Sequence, residues 1–97
     1  MRIIARRTLK EFWEKHTDSE QQLKSWYHDA KNSEWKSPSD IKKLYPSGSF
    51  LSDNRVVFNI KGNHYRLIVK INYDLKIVYI RFIGTHKEYD KIDASII

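Results

Sequence analysis

The sequence predicts an α+β fold. One layer is an antiparallel β-meander joined by an N-terminal strand; two to three helices pack on one of its faces, and a short helix follows at the C-terminal end. Three observations carry this expectation. Apolar residues recur at helical spacing as far as Tyr45 and at alternate positions from Arg55 onward, so the period changes once, from 3.6 to 2. The alternating runs are separated by only a few residues, Lys61-Gly62-Asn63 and Tyr73-Asp74-Leu75, and short connections force antiparallel neighbours. Each helical segment carries one apolar stripe, which needs a sheet face to lie on.

Taken in order, Arg2 to Arg7 reads as a short strand, with Ile3 and Ala5 on one side and Ile4 and Arg6 on the other. Thr8 is a candidate N-cap, with Glu11 in the capping-box position. The helix after it puts Leu9, Phe12, Trp13 and His16 on one side. Asp18 or Ser19 can cap a second helix that runs to about Lys31 or Asn32, with Leu23, Trp26, Tyr27 and Ala30 as its buried stripe. His28 lies off that stripe and should be exposed. Ser37 and Pro38 suit the start of a third helix carrying Ile41, Leu44 and Tyr45, which Pro46 stops. Phe50 and Leu51 form a short extended piece, and Asp53-Asn54 a turn.

The strand runs come next. Val56, Phe58 and Ile60 alternate with Arg55, Val57 and Asn59; Tyr65, Leu67, Val69 and Ile71 alternate with His64, Arg66, Ile68 and Lys70. In the last strand Val78, Ile80 and Phe82 alternate with Tyr79, Arg81 and Ile83. The first set in each strand is expected to face the helices. The opposite face then carries Asn59, Lys61, Arg66, Lys70, Tyr79 and Arg81, a basic surface open to an anionic ligand. A half-solvated antiparallel sheet is normally polar on its outer face as well.

Composition narrows the possibilities. Ninety-seven residues suffice for one domain over 1–97, and 40% apolar with 31% charged residues is a folding composition. The absence of cysteine excludes disulfides and thiol catalysis and fits a reducing compartment. No apolar run is long enough to span a membrane, and Met1 to Arg7 lacks the apolar segment of a signal peptide. The formal charge of +6 favours polyanionic partners, since each neutralised phosphate releases counterions. It equally suits a solvated surface.

Chemistry concentrates after the last strand, in Gly84-Thr85-His86-Lys87-Glu88-Tyr89-Asp90. Gly84 permits a sharp turn out of the strand. Thr85 can cap a short helix with Glu88 as its capping-box partner. On such a turn His86 shares a face with Tyr89 and with Asp90, three and four residues on. An imidazole beside a phenol and a carboxylate is a usable acid–base set. A single histidine at a strand-to-helix junction is also commonly a surface or capping residue. His16, His28, His64 and His86 are far apart in sequence, which argues against a structural zinc site. Three glycines are too few and too scattered for a phosphate-binding loop. On residues alone the chain is a basic α+β domain that binds RNA or an acidic partner.

A resemblance extends the reading. The run Arg55-Val56-Val57-Phe58-Asn59-Ile60-Lys61-Gly62-Asn63-His64-Tyr65-Arg66-Leu67-Ile68-Val69 and the run Tyr79 to Asp90, with Thr85-His86-Lys87-Glu88-Tyr89-Asp90 at its end, resemble the HigB family of toxins of bacterial type II toxin–antitoxin systems. Arg2 to Arg6 and Trp35-Lys36-Ser37-Pro38 resemble it too, so the likeness covers nearly the whole chain. It implies a RelE-like fold and a small ribonuclease that cuts translated mRNA in the ribosomal A site. The reaction is attack of a ribose 2′-OH on the adjacent phosphate, without metal or cofactor. By position the resemblance implies that Arg66 contacts the scissile phosphate, with Lys61 and Arg81 adding charge. His86 is the preferred acid–base group, Asp90 the next, and Tyr89 stacks on the nucleotide or moves protons near it. Asn59 stands where RelE carries a lysine and can orient a phosphate or ribose; Lys70 and Lys87 are further RNA contacts. The implied partner is a helix-turn-helix antitoxin of the HigA type, with DNA contacted only through it, in the cytoplasm and away from membranes. A non-catalytic RNA- or ribosome-binding module, or an inactive toxin serving only as an antitoxin or repressor partner, stays open beside the nuclease.

Overall fold

The computed structural model describes all 97 residues. Its core is one five-stranded sheet in the order β1-β5-β4-β3-β2. The strands are β1 (Arg2–Ile4), β2 (Ser49–Leu51), β3 (Arg55–Ile60), β4 (Tyr65–Asn72) and β5 (Ile77–Thr85). The helices are α1 (Arg6–Lys15), α2 (Glu20–Asn32), α3 (Pro38–Leu44) and α4 (His86–Tyr89), with a 3₁₀ turn over Thr17–Ser19. The expected meander is β3-β4-β5. β1 adds parallel to β5, and the extended piece at Phe50 becomes a fifth strand, antiparallel to β3.

Hairpin chemistry sets the register. Lys61 and Gly62 both take positive φ, 53° and 63°, in the β3–β4 turn, as do Asp53 and Asn54 in the β2–β3 turn. Turns of this hand match the twist of the strands they join. Lys61 therefore stands in the turn, not on the sheet face where the alternation put it. Its main-chain N–H is tied to the Gln22 side chain of α2.

Helices α1, α2 and α3 cover one face. Leu9, Trp13, Leu23, Trp26, Ala30 and Ile41 meet Val56, Phe58, Ile60, Leu67, Val69, Ile71 and Val78 in one buried cluster. Trp26 and Tyr45 both set ring edges against Phe58, at 5.4 and 5.2 Å between centroids. Aromatic pairs favour such edge-to-face geometry.

Three local expectations give way to tertiary contacts. The first strand stops at Ile4 and α1 starts at Arg6, so Thr8 is inside the helix and does not cap it. The reason is visible at Arg6: its guanidinium lies 5.2 Å from the Trp13 ring and 5.5 Å from that of Tyr27. Glu11, freed from capping, pairs with Arg7 at 2.8 Å. Neither candidate cap of α2 caps it. The Ser19 hydroxyl donates back to the His16 carbonyl, and Asp18 accepts from the Tyr65 hydroxyl at 2.6 Å.

The third correction decides the far face. β5 bulges at Arg81: Ile68 pairs with Phe82 but Val69 pairs with Ile80, leaving Arg81 as an extra residue. A bulge reverses the facing of the residues beyond it. Phe82 accordingly turns away from the helices and Ile83 packs toward them. Gly84 is not a turn but a strand residue opposite Arg66. A Cβ at Gly84 would lie 2.5 Å from the Phe82 ring, so the ring occupies the space a side chain would need.

The far face is therefore not an open basic surface. Its middle is apolar: Val57 and Ile68 are buried there, apart from the main core. The segment after α4 crosses this face, and its end is held where the main-chain oxygen of Ile97 accepts from Arg55 Nε (2.9 Å) and Arg81 Nε (3.4 Å). Arg55, 7% exposed, also meets Asp53 at 3.0 Å. No helix is long and apolar enough to cross a membrane.

Candidate functional site

The site residues lie at the end of the sheet where β4 begins and β5 finishes. Thr85 and Glu88 build the predicted capping box: the Glu88 N–H donates to the Thr85 hydroxyl at 3.2 Å and the Thr85 N–H to the Glu88 carboxylate at 2.9 Å. These bonds, the Thr85 N–H first, hold the Glu88 carboxyl below its ordinary value, and nearby His16 adds to the effect. The His86 N–H donates to the His64 carbonyl at 3.0 Å, so α4 is pinned to the residue just before the strand that carries Arg66.

On this turn His86 and Asp90 meet as their spacing requires, Nδ1 to Oδ2 at 3.2 Å. The contact places the Asp90 carboxylate beside Nδ1, an ion pair whenever the imidazole is protonated, while Nε2 makes no hydrogen bond within the chain. Arg66 lies across the strand from Gly84. Its guanidinium donates to the main-chain carbonyls of Asn63 (3.0 Å) and Tyr65 (3.3 Å), and its carbon sits 5.7 Å from the Tyr89 ring centre. These partners are all uncharged, so the full positive charge and the remaining N–H groups stay available for an anion. Asn59 is directly opposite Arg66 on β3, its amide 3.4 Å from the Ser47 carbonyl. Lys87 is exposed on α4, and Lys61 is exposed in the adjoining turn.

Two residues expected in the same surface are elsewhere. Lys70 is four positions further along β4 and Arg81 stands at the bulge, so both sit beyond the apolar middle. Lys70 Nζ contacts Asp53 at 3.0 Å; that bond first, and Arg55 after it, hold the Asp53 carboxyl below its ordinary value. A carboxylate from the β2–β3 turn thus interrupts the basic face.

The fold also gathers residues that sequence spacing keeps apart. His16 stacks on Phe12 at 4.3 Å and lies 5.3 Å from the Tyr65 ring, while the His64 ring lies 6.2 Å from Tyr65. Three of the four histidines thus stand at the α4 end of the sheet. The Tyr65 hydroxyl, donating to Asp18, is held protonated above its ordinary value by that bond. Nothing local marks His16 as a neighbour of α4; only the pairing of Tyr65 with Thr85 brings them together. No group of three His, Asp or Glu side chains is arranged to hold a metal ion.

Residues 19–92 match the model of the HigB toxin family, described as the RelE-like toxic component of a toxin–antitoxin system. The chain belongs to the HigB toxin family. It is 30% identical over 96 residues to the mRNA interferase toxin HigB of Escherichia coli strain K12, covering 97% of this chain and 92% of that protein. The mRNA interferase HigB of Shigella flexneri matches to the same extent. That of Escherichia coli O6:H1 is 29% identical over 94 residues, 95% of this chain and 91% of that one. The family match takes in both runs that flank the site, Arg55 to Val69 and Tyr79 to Asp90.

Proposed function

We propose that this HigB-family chain is an mRNA interferase, an endoribonuclease that cuts translated mRNA on the ribosome and arrests growth. The observation that carries this reading is the gathering of Arg66, Tyr89, His86 and Asp90 from β4 and α4 at one end of the sheet. His86, oriented by Asp90, takes the proton of a ribose 2′-OH through Nε2. The 2′-oxygen attacks the adjacent phosphorus, the bond to the 5′-oxygen breaks, and the products are a 2′,3′-cyclic phosphate and a 5′-hydroxyl. Arg66 neutralises the charge that develops on the non-bridging oxygens. Tyr89, in contact with Arg66, gives a proton to the leaving 5′-oxygen.

A base, an acid and a cation cover the needs of this reaction, so we read it as independent of metal and cofactor. A contact that strengthens only in the transition state supplies roughly 10²–10³ in rate. Asn59, Lys61 and Lys87 line the approach and hold the flanking backbone; Lys70 and Arg81 hold RNA further along the same face. The whole of 1–97 acts as one toxin domain, in the cytoplasm, restrained by a helix-turn-helix antitoxin of the HigA type that supplies any contact with DNA.

Mapping mRNA 5′ ends after induction without the antitoxin tests the reading. New 5′-hydroxyl ends within translated frames are expected. Growth arrest with intact transcripts would instead identify a non-catalytic ribosome-binding module. No arrest and no cutting would identify an inactive toxin kept as an antitoxin partner.

A further inference from the structure

The far face carries a recess at the end away from α4. It encloses about 540 Å³, and its lining includes Asn54, Lys70, Asn72, Asp74, Tyr79 and Arg81. Tyr79 lies directly opposite Lys70 in register, and the β5 bulge places Arg81 beside them. The middle of the face, under the segment that ends at Ile97, separates this recess from the Arg66 site.

Several donors here have no partner within the chain. Arg81 uses only Nε, on Ile97. Asn72 uses its side-chain oxygen, which accepts from the Leu75 N–H at 2.9 Å, and its amide nitrogen is free. The Asn54 side chain and the Tyr79 hydroxyl lack partners as well. What remains is an aromatic ring flanked by two cations, with amide groups around it; Asp74 is in the lining, and Asp53 sits against Lys70 at 3.0 Å.

We infer that this recess is a nucleotide subsite, with a base on the Tyr79 ring and its phosphate between Lys70 and Arg81. Aromatic rings among cations are how proteins hold single-stranded nucleic acid, because every base has a π-face and every linkage a charge. A purely anionic peptide would meet repulsion from Asp74 and leave the ring and amides unused. A base offers Asp74 an amino donor, as the exocyclic amine of cytosine does. Lys70 is four residues from Arg66 along β4, roughly 13 Å at about 3.3 Å per residue. A short stretch of single strand joins the two points. The strand being cut is thus one source of the nucleotide, which rests on the nuclease reading above; a free mononucleotide is the other.

The test measures binding of the whole chain to a fluorescent 2′-O-methylated single-stranded RNA, which 2′-OH attack cannot cut, and in parallel to mononucleotides. Tyr79→Ala should weaken binding roughly tenfold or more, and Tyr79→Phe, which keeps the ring, should restore most of it. Arg81→Gln should weaken binding and reduce the salt slope by about one. RNA binding far tighter than any mononucleotide assigns the recess to the strand; equal binding, lost in Tyr79→Ala, assigns it to a free nucleotide. Unchanged affinity for both probes in Tyr79→Ala and Arg81→Gln overturns the subsite. Cleavage by the wild type is scored separately. Uncut mRNA with Tyr79-dependent binding overturns the nuclease reading alone, and cutting with Tyr79-independent binding overturns the subsite alone.

Discussion

The two ends of the far face carry similar side chains and treat them differently. At the α4 end, Arg66 rests on two main-chain carbonyls and the Tyr89 ring, none of them charged. At the other end, Lys70 meets Asp53 at 3.0 Å, and the same carboxylate holds Arg55. A cation held by dipoles keeps its charge for a ligand, whereas one held by a carboxylate shares it. The contrast separates an end suited to stabilising a developing negative charge from one suited to holding a strand in place. Between them lies an apolar strip, which keeps the two from merging into one basic surface.

The comparison can be broken first at its chemical end. His86→Ala should lower cleavage by roughly 10²–10⁴, since a positioned acid–base group is worth about that much, and leave the melting temperature unchanged because the side chain is exposed. Arg66→Ala should cost roughly 10²–10³. Ends mapped from cells expressing each variant provide the measure, and full cutting by both would remove the α4 end from the mechanism.

The dividing strip comes next. Ile68→Ala opens a cavity at a fully buried position outside the main core and should cost about 2–5 kcal/mol in denaturant unfolding. A loss below that range would mean the far face needs no packed middle. Gly84→Ala forces the Phe82 ring to move and should cost about 1–3 kcal/mol. The double variant with Phe82→Leu should recover part of it, which isolates the ring as the obstacle.

Smaller effects sharpen the picture. The Glu88 carboxyl is held below its ordinary value by bonds made only in the fold. Its contribution is present above the unfolded value and is lost as pH falls through the lowered folded one. The Thr85 and Glu88 amide resonances should therefore shift in acid and lose protection relative to their intrinsic exchange rates, while those of β3 and β4 stay protected. Thr85→Ala should abolish that difference. Least of all, Asp53→Asn frees Lys70 and should tighten RNA binding by a few-fold, with a steeper salt dependence. An unchanged slope would show that Lys70 does not reach RNA.

Local pattern accounts for much of the molecule. The alternation after Arg55 and the turns at Lys61-Gly62 and Asp53-Asn54 produce the meander, because strand period and positive-φ turns involve only near neighbours. The Thr85–Glu88 box and the His86–Asp90 contact arise from spacings of three and four on one turn. That is why the α4 half of the site is readable from residues 84–90. Spacing does not join Arg66 to that half; the family resemblance does.

The remainder depends on contacts between distant parts of the chain. Where β5 bulges is settled by its pairing with β4, and that single extra residue, Arg81, turns Phe82 outward, its ring over the space beside Gly84. Whether the far face is open is settled by the segment that reaches Arg55 and Arg81 from the C-terminal side. That His16 and His64 share one tyrosine is settled by the packing of α1 against the start of β4. By itself the sequence determined periods, turns and the cap of α4, since those interactions close within a few residues. Register across strands and coverage of a face close over tens of residues, and only the tertiary structure decided them.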